Sequence, residues 1–541
     1  MEVNTLSSAD CHPINLLPGL HPLFLDFCAD VPSAAQFYGR EAHGTGWQAR
    51  PQIPAHWSEL VELIAEQNPQ PTARPALDAL KRSAGIVVTG QQAGLFGGPL
   101  FTPFKAATAL ARARQATGQS KPHAAVFWVA TEDHDFDEIN HVTFPSRKEL
   151  RKLAYTNAPA APIPVGRVVL DDSITPLIEQ AWELVGQSDA MEALAEVYKP
   201  GRTFAQAFAD FYRRAFAPQG LLVLDAGGRA AHRMGSPVLR AALERADELH
   251  AALAERNKAL GAAGYHVQVT VADQSSLLFL IDAQSGARIA LKRTSPGASE
   301  PEGLWQAGSE RFATADLIGI LEAEPERISP SALLRPVFQD YLLSTSLTIG
   351  GPAEIAYFAQ SAVLYERILG RMTAVDPRLS ATLIEPAIGE LLRKHELTLE
   401  RLFSAGDADD LAQLLAARAM PIEGKRKLAA AGNAMDTELD ALVDWLKAAD
   451  TGLGQSAETA ASKMRYQMNR LRQIAANFQL QKEQSLQRHA DAICRAIYPG
   501  GVLQEREHGA AYYFGRYGFQ LAETLIEQAM DACPGHKEIW L

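Results

Sequence analysis

Residues 85–99 read Gly-Ile-Val-Val-Thr-Gly-Gln-Gln-Ala-Gly-Leu-Phe-Gly-Gly-Pro, a sequence that predicts a strand followed by a glycine-rich loop. Its apolar run Gly85–Thr89 is typical of a buried strand, and glycines follow directly. A second apolar run, Ala124–Ala130, leads into the acidic segment Thr131–His141. The alanine-rich segment Pro103–Thr117 between the two runs predicts a helix. Two buried strands separated by a helix predict a parallel βαβ unit.

Two further apolar runs, Leu221–Asp225 and His266–Val271, predict additional strands. Together the four candidates favour the α/β class with an open sheet. In such sheets, ligands bind outside the carboxyl ends of the strands. The glycine-rich residues after Thr89 and the acidic segment both follow such ends, so we expect them to contribute to a binding site.

The last third of the chain has the apolar periodicity of a coiled coil. Apolar residues step by four and three in two runs: Met435, Leu439, Leu442 and Leu446, then Met464, Met468, Leu471, Ala475 and Phe478. The segment Thr451–Gly454 between the runs is unfavourable for a continuous helix, so we expect two antiparallel arms. The second arm is predicted to run from about Glu458 to Ala496. Packing inside one globule and dimerisation both fit this pattern.

The 541 residues include 51 Lys and Arg against 63 Asp and Glu, a net charge of −12. This balance argues against nucleic acid as the main partner. No segment offers the roughly 18 uncharged apolar residues that a membrane span needs, and Met1–Thr5 shows no basic start of a secretory signal. The four cysteines (Cys11, Cys28, Cys494 and Cys533) form no Cys-x-x-Cys pair. We therefore expect unpaired cysteines and a cytoplasmic protein.

The glycine-rich loop is the first candidate binding motif, because consecutive N–H groups at a strand end can hold a phosphate or carboxylate. Its candidate binding residues are Gly90, Gln91, Gln92, Gly94 and Gly98. The loop is neither G-x-G-x-x-G nor a Walker loop, since Lys105 lies seven residues beyond the last glycine and precedes an alanine. The alternative is a turn with a purely structural role.

The acidic segment supplies the candidate catalytic residues, Asp133, His134, Asp135 and His141, with Asn140 as a candidate for binding. Such a cluster can hold Mg²⁺ through carboxylates or place a histidine as general base beside an aspartate. The zinc motif H-E-x-x-H is absent, which rules out a zincin site, and we assign no metal ligand here. A run of acids is also typical of a solvated helix start, which is the alternative interpretation.

A third motif combines Arg335 with the turn Gly350-Gly-Pro-Ala-Glu354. Arginine binds carboxylates or phosphates, the turn can start a helix that attracts anions, and Glu354 can hold an amine. The alternative for Arg335 is a structural Arg–Asp pair. Near the end of the chain, Gly500–Arg506 predicts a return to the core, with Glu505 and Arg506 expected as a surface pair.

Five blocks of sequence resemble one family when taken together. They are T-G-Q-Q-x-G-L-F-G-G-P at 89–99, F-W-V-A-T-E-D-H-D at 127–135 with E-I-N-H at 138–141, S-P-x-x-L-L-R-P at 329–336, G-G-P-A-E-I-A-Y at 350–357 and L-Q-E-R at 503–506. In this order, over essentially the whole chain, they resemble the bacillithiol biosynthesis cysteine-adding enzymes. The synthetase strings H-I-G-H and K-M-S-K-S are absent.

The resemblance implies a Rossmann-like core of nucleotidyltransferase type with connecting insertions, over residues 1–385. It also implies a helical coiled-coil domain, 386–498, that forms a homodimer, and a C-terminal segment, 499–541, that returns to the core. The implied reaction joins cysteine through its carboxyl group to the amine of glucosaminyl-malate.

ATP is the expected co-substrate, with Mg²⁺ as a possible companion, because a free carboxylate is a poor acyl donor. One alternative is a nucleotide-sugar-dependent transferase that uses Asp133-His134-Asp135 as a metal site. A coiled-coil scaffold without activity is the other.

Overall fold

A computed structural model of the chain describes residues 11–39, 46–49, 52–272, 275–294, 304–531 and 533–541. Met1–Thr5, on which the expectation about a secretory signal rests, lies outside the described residues. The strands of the described part are β1 (Cys11–His12), β2 (Gly85–Gln92), β3 (His123–Ala130), β4 (His141–Pro145), β5 (Leu150–Ala154), β6 (Leu222–Asp225), β7 (Ser275–Ile281), β8 (Arg288–Arg293), β9 (Leu304–Ala307), β10 (Glu310–Ala313), β11 (Ile328–Pro330), β12 (Leu347–Gly350), β13 (Ala374–Pro377), β14 (Ser380–Ile384) and β15 (His536–Trp540).

The helices of the same part are α1 (Pro22–Cys28), α2 (Pro32–Ala35), α3 (Trp57–Gln67), α4 (Arg74–Lys81), α5 (Phe101–Gly118), α6 (Phe136–Ile139), α7 (Ile174–Val185), α8 (Asp189–Val197), α9 (Phe204–Phe216), α10 (Arg229–Glu244), α11 (Ala246–Ala262), α12 (Thr314–Ala323), α13 (Arg335–Leu343), α14 (Pro352–Leu369), α15 (Pro386–His395), α16 (Leu399–Ala405), α17 (Ala408–Ala419), α18 (Ile422–Ala449), α19 (Thr451–Lys482), α20 (Gln484–Ile497), α21 (Gln504–Glu507), α22 (Ala510–Tyr517) and α23 (Leu521–Met530). None of these described helices is long and apolar enough to cross a membrane.

The central sheet of the described part has five parallel strands in the order β13-β12-β2-β3-β6. Counted along the chain within this sheet, the order is 3-2-1-4-5, which is the Rossmann arrangement. The predicted βαβ unit is confirmed as β2–α5–β3, and β6 confirms the strand predicted at Leu221–Asp225. Side chains of β2 alternate between two cores, since Val87 enters one while Ile86 and Val88 enter the other. Both faces of the sheet are therefore covered.

The strand predicted at His266–Val271 is wrong, because this segment is irregular. The side chain of Gln360, on α14, takes the place of a neighbouring strand. Its Oε1 accepts from the backbone N–H of Val269 at 2.9 Å, and its Nε2 donates to the carbonyl of Val269 at 3.0 Å. The backbone there is satisfied without a sheet ladder.

A second sheet is inserted between β6 and β12 and runs antiparallel, in the order β10-β9-β8-β7-β11. A third sheet brings distant parts of the chain together, because β15 lies between β1 and β14. Beside it, Cys11 and Cys533 form a disulfide, so the expectation that all four cysteines are unpaired is wrong. Cys28 and Cys494 are free. Sequence spacing missed this bond because its two ends are 522 positions apart.

The helices α18 and α19 pack against each other as the antiparallel arms of a hairpin, around Leu439, Val443 and Ala461. The helix break falls at Asp450, whose carboxylate accepts from the backbone N–H of Leu453 at 2.9 Å. Residues 451–454 thus form the first turn of the second arm instead of a loop. That arm ends at Lys482, and the remainder of the predicted arm belongs to the separate helix α20.

Candidate active site

The strand order of the central sheet reverses between β2 and β12, and a cleft of about 600 Å³ opens beyond their carboxyl ends. Gly90–Gln92 line one side of this cleft, and Gly351–Glu354 line another. Strands β7 and β8 of the inserted sheet cover it. Such a reversal point is where open α/β sheets bind their ligands.

Lys105 of α5 connects the two sides of the cleft. Its ammonium group pairs with the carboxylate of Glu354 and donates to the carbonyl of Gly90 at 2.9 Å and to Oε1 of Gln91 at 2.8 Å. Glu354 in turn accepts from the backbone N–H of Gly351 at 2.8 Å. Burial lowers the pKa of Lys105, against the opposing effect of Glu354. This lysine fixes the shape of the cleft, although its position in the sequence matches no phosphate-binding motif.

The second half of the glycine-rich loop turns away from the cleft into the core. Gly94 accepts from the hydroxyl of Tyr198 at 2.9 Å, and Gly98 has a positive φ of 71°. Neither glycine is among the lining residues, so the structure brings only Gly90–Gln92 of this motif to the cleft. A side chain at position 90 would place its Cβ 2.9 Å from the carbonyl of Trp128. Close packing against β3 therefore accounts for the glycine at this position.

Asp133 and His134, at the carboxyl end of β3, line the cleft. Gln92 donates to the carboxylates of Asp133 and Glu138, in both cases at 2.8 Å. Arg288 of β8 donates to Nδ1 of His134 at 3.2 Å and to Asp133 at 3.4 Å. Burial tends to raise the pKa of Asp133, but Arg288 and the bond from Gln92 outweigh it and hold that pKa below its usual value.

The structure does not bring Asp135, Asn140 or His141 to the cleft lining. Asp135 caps α6 by accepting from the backbone N–H of Glu138 at 3.2 Å. His141 starts β4, and its Nδ1 donates to Oδ1 of Asn140 at 3.0 Å. Within the described residues, no three His, Cys, Asp or Glu side chains are grouped to hold a metal ion. The geometry therefore gives no support to the metal-dependent nucleotide-sugar transferase.

Arg335 lines the cleft and is held by neutral partners. It donates to the hydroxyl of Tyr357 at 2.8 Å and to Oε1 of Gln339 at 3.3 Å. The nearby aspartate, Asp340, pairs with Arg371 at 2.9 Å instead, so the alternative of an Arg335–Asp pair is wrong. Arg335 keeps its charge available for a ligand. Gly350 lies outside the lining of the cleft.

Arg378, which lines the cleft, belongs to a buried ion pair that the sequence did not indicate. Arg378 donates to both oxygens of Glu505, at 2.6 and 2.9 Å, and both side chains are 3% exposed. The expected surface pair of Glu505 with Arg506 is therefore wrong, because the return of the chain after Gly501 carries Glu505 inward. A second pair joins Glu132, which lines the cleft, to the buried His232 at 3.0 Å. The partners in these pairs are about 100 residues or more apart in the sequence, so no local sequence pattern indicates them.

Basic side chains outnumber acidic ones in the lining. The basic residues are Lys105, Arg288, Lys292, Arg335, Arg378 and Arg506, and the acidic residues are Glu132, Asp133, Glu138 and Glu354. Although the whole chain carries a charge of −12, this cleft is suited to anionic ligands.

Two family models match the chain almost from end to end. The Rossmann-like N-terminal domain of bacillithiol biosynthesis BshC matches residues 1–379, and the C-terminal coiled-coil domain of BshC matches residues 381–539. The chain belongs to the BshC family. Both the resemblance found in the sequence and the predicted fold class are thereby confirmed, and the boundary between the two BshC models falls at residue 380, the first residue of β14.

Curated BshC proteins match over nearly their full lengths. The protein of Koribacter versatilis is 39% identical over 98% of this chain and 99% of its own length. The protein of Solibacter usitatus is 33% identical over 96% and 97%, and that of Salinibacter ruber 30% over 96% of each chain. All three carry the name "Putative cysteine ligase BshC".

Proposed function

We propose that the chain is a carbon–nitrogen ligase that joins the carboxyl group of cysteine to the amine of glucosaminyl-malate, with ATP as the activating co-substrate. The names of the BshC relatives support a cysteine ligase in bacillithiol biosynthesis. The observation that carries the finer proposal is the basic cleft at the strand reversal of a Rossmann-type sheet. Nucleotides bind at this place in related folds.

The reaction explains why ATP is needed and why the cleft is basic. A carboxylate does not react with an amine at neutral pH until its oxygen becomes part of a better leaving group, such as AMP or phosphate. Both the nucleotide and the malate group are anions, and arginines bind such groups with paired hydrogen bonds. In this proposal Arg335 and the N–H groups at the start of α14 bind carboxylates, while Gly90–Gln92 lie beside the nucleotide.

In this proposal the carboxylates of the cleft bind ammonium groups of the substrates, and Mg²⁺ binds only together with ATP. Glu354 and Asp133 line the cleft and can hold the ammonium groups of the two substrates. The protein side chains do not fit a dedicated metal centre, so Mg²⁺ is proposed only as the ion that accompanies the phosphates of ATP.

The decisive experiment incubates the purified protein with glucosaminyl-malate, cysteine and ATP and follows the products by mass spectrometry. We expect the amide product, formed only when all three are present, and release of either AMP or ADP identifies the activated acyl species. Serine in place of cysteine tests the choice of amino acid. Failure to form an amide, or consumption of a nucleotide-sugar instead of ATP, would overturn the proposal.

Variants of residues that line the cleft test whether the reaction takes place there. Arg335→Met removes a charged contact, so we expect kcat/KM to fall by about 10–100-fold. Lys427→Met is the matched control, because Lys427 lies on α18 with its side chain 77% exposed and paired only with Glu423. Equal activity of the two variants would remove Arg335 from the binding site.

We further propose a homodimer through the coiled-coil hairpin. Met464, Leu471 and Phe478 follow one another at seven-residue intervals on α19 and are 50%, 55% and 68% exposed. Trp445 on the neighbouring arm is 67% exposed. A row of large apolar side chains in water favours burial against a second copy.

A further inference from the structure

The guanidinium group of Arg288 is fixed from three directions. It stacks on the ring of Phe279, 3.7 Å from the ring centre, and its side chain is 6% exposed. Nε donates to the hydroxyl of Ser329 at 3.1 Å, and Nη2 donates to the carbonyl of Pro330 at 2.8 Å. Phe279 lies on β7, the neighbour of the strand β8 that carries Arg288, and Ser329 and Pro330 lie on β11, the next strand beyond β7. The direction in which Nη1 points is therefore set by the inserted sheet.

Nη1 points at His134, and this contact determines where the imidazole proton lies. The distance from Nη1 to Nδ1 of His134 is 3.2 Å. A guanidinium group has only donors, so Nδ1 must accept with its lone pair. The single proton of the neutral ring then sits on Nε2.

Asp133 does not compete for a proton on Nδ1. Its carboxylate oxygen lies 3.6 Å from that nitrogen, which is beyond hydrogen-bond distance. The same oxygen instead accepts from the backbone N–H of His134 at 2.8 Å. The arrangement therefore differs from a pair in which an aspartate orients a histidine as general base.

We infer that His134 acts as an uncharged hydrogen-bond donor, through Nε2, toward an anionic phosphate or carboxylate oxygen of the bound ligand, and that Arg288 is the residue that positions it. This replaces the proton-accepting role predicted from the sequence. The side chain lines the cleft and is 36% exposed, and Nε2 has no hydrogen-bond partner among the described residues. Its part in catalysis rests on the proposed ligase activity, whereas the position of the proton does not.

A neutral donor suits a site that transfers acyl or phosphoryl groups. Negative charge grows on an oxygen during such a transfer, and a donor already in place stabilises it without rearrangement. Removal of one such donor lowers kcat by about 100–1000-fold in well-studied enzymes.

Nuclear magnetic resonance of full-length protein labelled with ¹⁵N-histidine tests the proton position directly. Two-bond ¹H–¹⁵N correlation spectra distinguish the two neutral forms and the imidazolium, and the signals lost in His134→Gln identify the residue. We expect the form protonated on Nε2 at pH 7. Protonation on Nδ1, or on both nitrogens, would overturn the inference whether or not the protein ligates cysteine.

Two ligands test which kind of anion accepts the hydrogen bond from Nε2 of His134. A non-hydrolysable ATP analogue with MgCl₂ supplies phosphate oxygens, and L-malate supplies carboxylate oxygens. We expect one of them to shift the Nε2 proton signal of His134, and the one that does so identifies the source of the anion. If neither ligand shifts the signal at saturating concentration, the assigned role of Nε2 is wrong.

Two pairs of variants separate a donor from a base. Glutamine places an N–H near the position of Nε2 and asparagine places one near Nδ1, so His134→Gln should retain kcat at least about tenfold above His134→Asn. Equal losses would contradict a donor role while leaving the ligase proposal intact.

Arg288→Met should give a mixture of both neutral forms of His134 in the spectrum, with Arg288→Lys partly restoring the form protonated on Nε2. An unchanged spectrum in both variants would remove Arg288 as the positioning residue.

Discussion

The ion pair of Arg378 with Glu505 is buried, since each side chain is only 3% exposed. Burial tends to raise the pKa of Glu505, but Arg378 holds that pKa below its usual value, so the carboxylate stays charged. In Glu505→Gln the arginine charge is left buried without a counter-charge. We expect the free energy of unfolding, measured with urea, to fall by about 3–5 kcal/mol.

Glu423→Gln is the control for this prediction. Glu423 also pairs with a basic residue, Lys427, but the two side chains are 78% and 77% exposed. A solvated pair contributes little, so the change should stay within about 0.5 kcal/mol. If both variants lose the same small amount, burial is not what makes the Arg378 pair important.

Two buried histidines make stability depend on pH. Burial lowers the pKa of His508 and of His536 to about 4. In the unfolded chain histidine takes up its proton near about pH 6.5, so between these values the unfolded state binds more protons. Stability is therefore fully present above about pH 7 and falls as the pH decreases toward 4. Urea unfolding at pH 7 and pH 5 should show a loss of about 1–2 kcal/mol per histidine.

His536→Gln tests this explanation. Glutamine does not titrate, so the variant should lose less stability between pH 7 and pH 5 than the parent protein. It will be less stable at pH 7, because His536 bonds the hydroxyls of Ser380 and Thr382, both at 2.8 Å. An unchanged pH dependence would show that other groups cause the loss.

Elements were predictable from the sequence where one local rule was sufficient. The strands β2, β3 and β6 are continuous apolar runs buried on both faces, and α5 is rich in the best helix former. At His266–Val271 the same rule failed, because the side chain of Gln360 replaced a neighbouring strand.

The site was predictable only in part, because local sequence patterns do not connect residues that are far apart in the chain. Asp133 and His134 follow a strand, and Arg335 and Glu354 belong to motifs, so local patterns indicated them. Lys105, Arg288 and Arg378 act through partners far away in the chain, and no spacing rule connects such residues.

The hairpin α18–α19 has a narrow core between its arms and a row of apolar side chains on its outer side. By light scattering we expect the parent protein to be dimeric, as proposed, and the double variant Leu471→Glu/Phe478→Glu to be monomeric. Glutamates on this face would meet each other across a dimer interface and repel.

Val169→Glu is the matched control, because Val169 is 55% exposed but lies far along the chain from the hairpin. Its oligomeric state should equal that of the parent protein. A dimer that survives the double variant would place the interface elsewhere.

At the scale of the whole molecule, the disulfide Cys11–Cys533 joins β1 to the segment before β15. It restricts the unfolded chain, so reduction should lower the free energy of unfolding by about 2–5 kcal/mol. Calorimetry with and without dithiothreitol measures the effect as a lower Tm. Cys11→Ser should behave like the reduced protein in both conditions, and Cys28→Ser should respond to reductant as the parent does.

The same bond has a mechanical consequence. A stretching force applied between residues 11 and 533 would be carried by the disulfide, and the chain between these residues, which are 522 positions apart, would bear no load. In an optical trap with handles at these residues, the oxidised molecule should show almost no extension, because the disulfide links the two pulling points directly. Added reductant should then release the sheets and the helical hairpin one after another, as separate rips in the force trace.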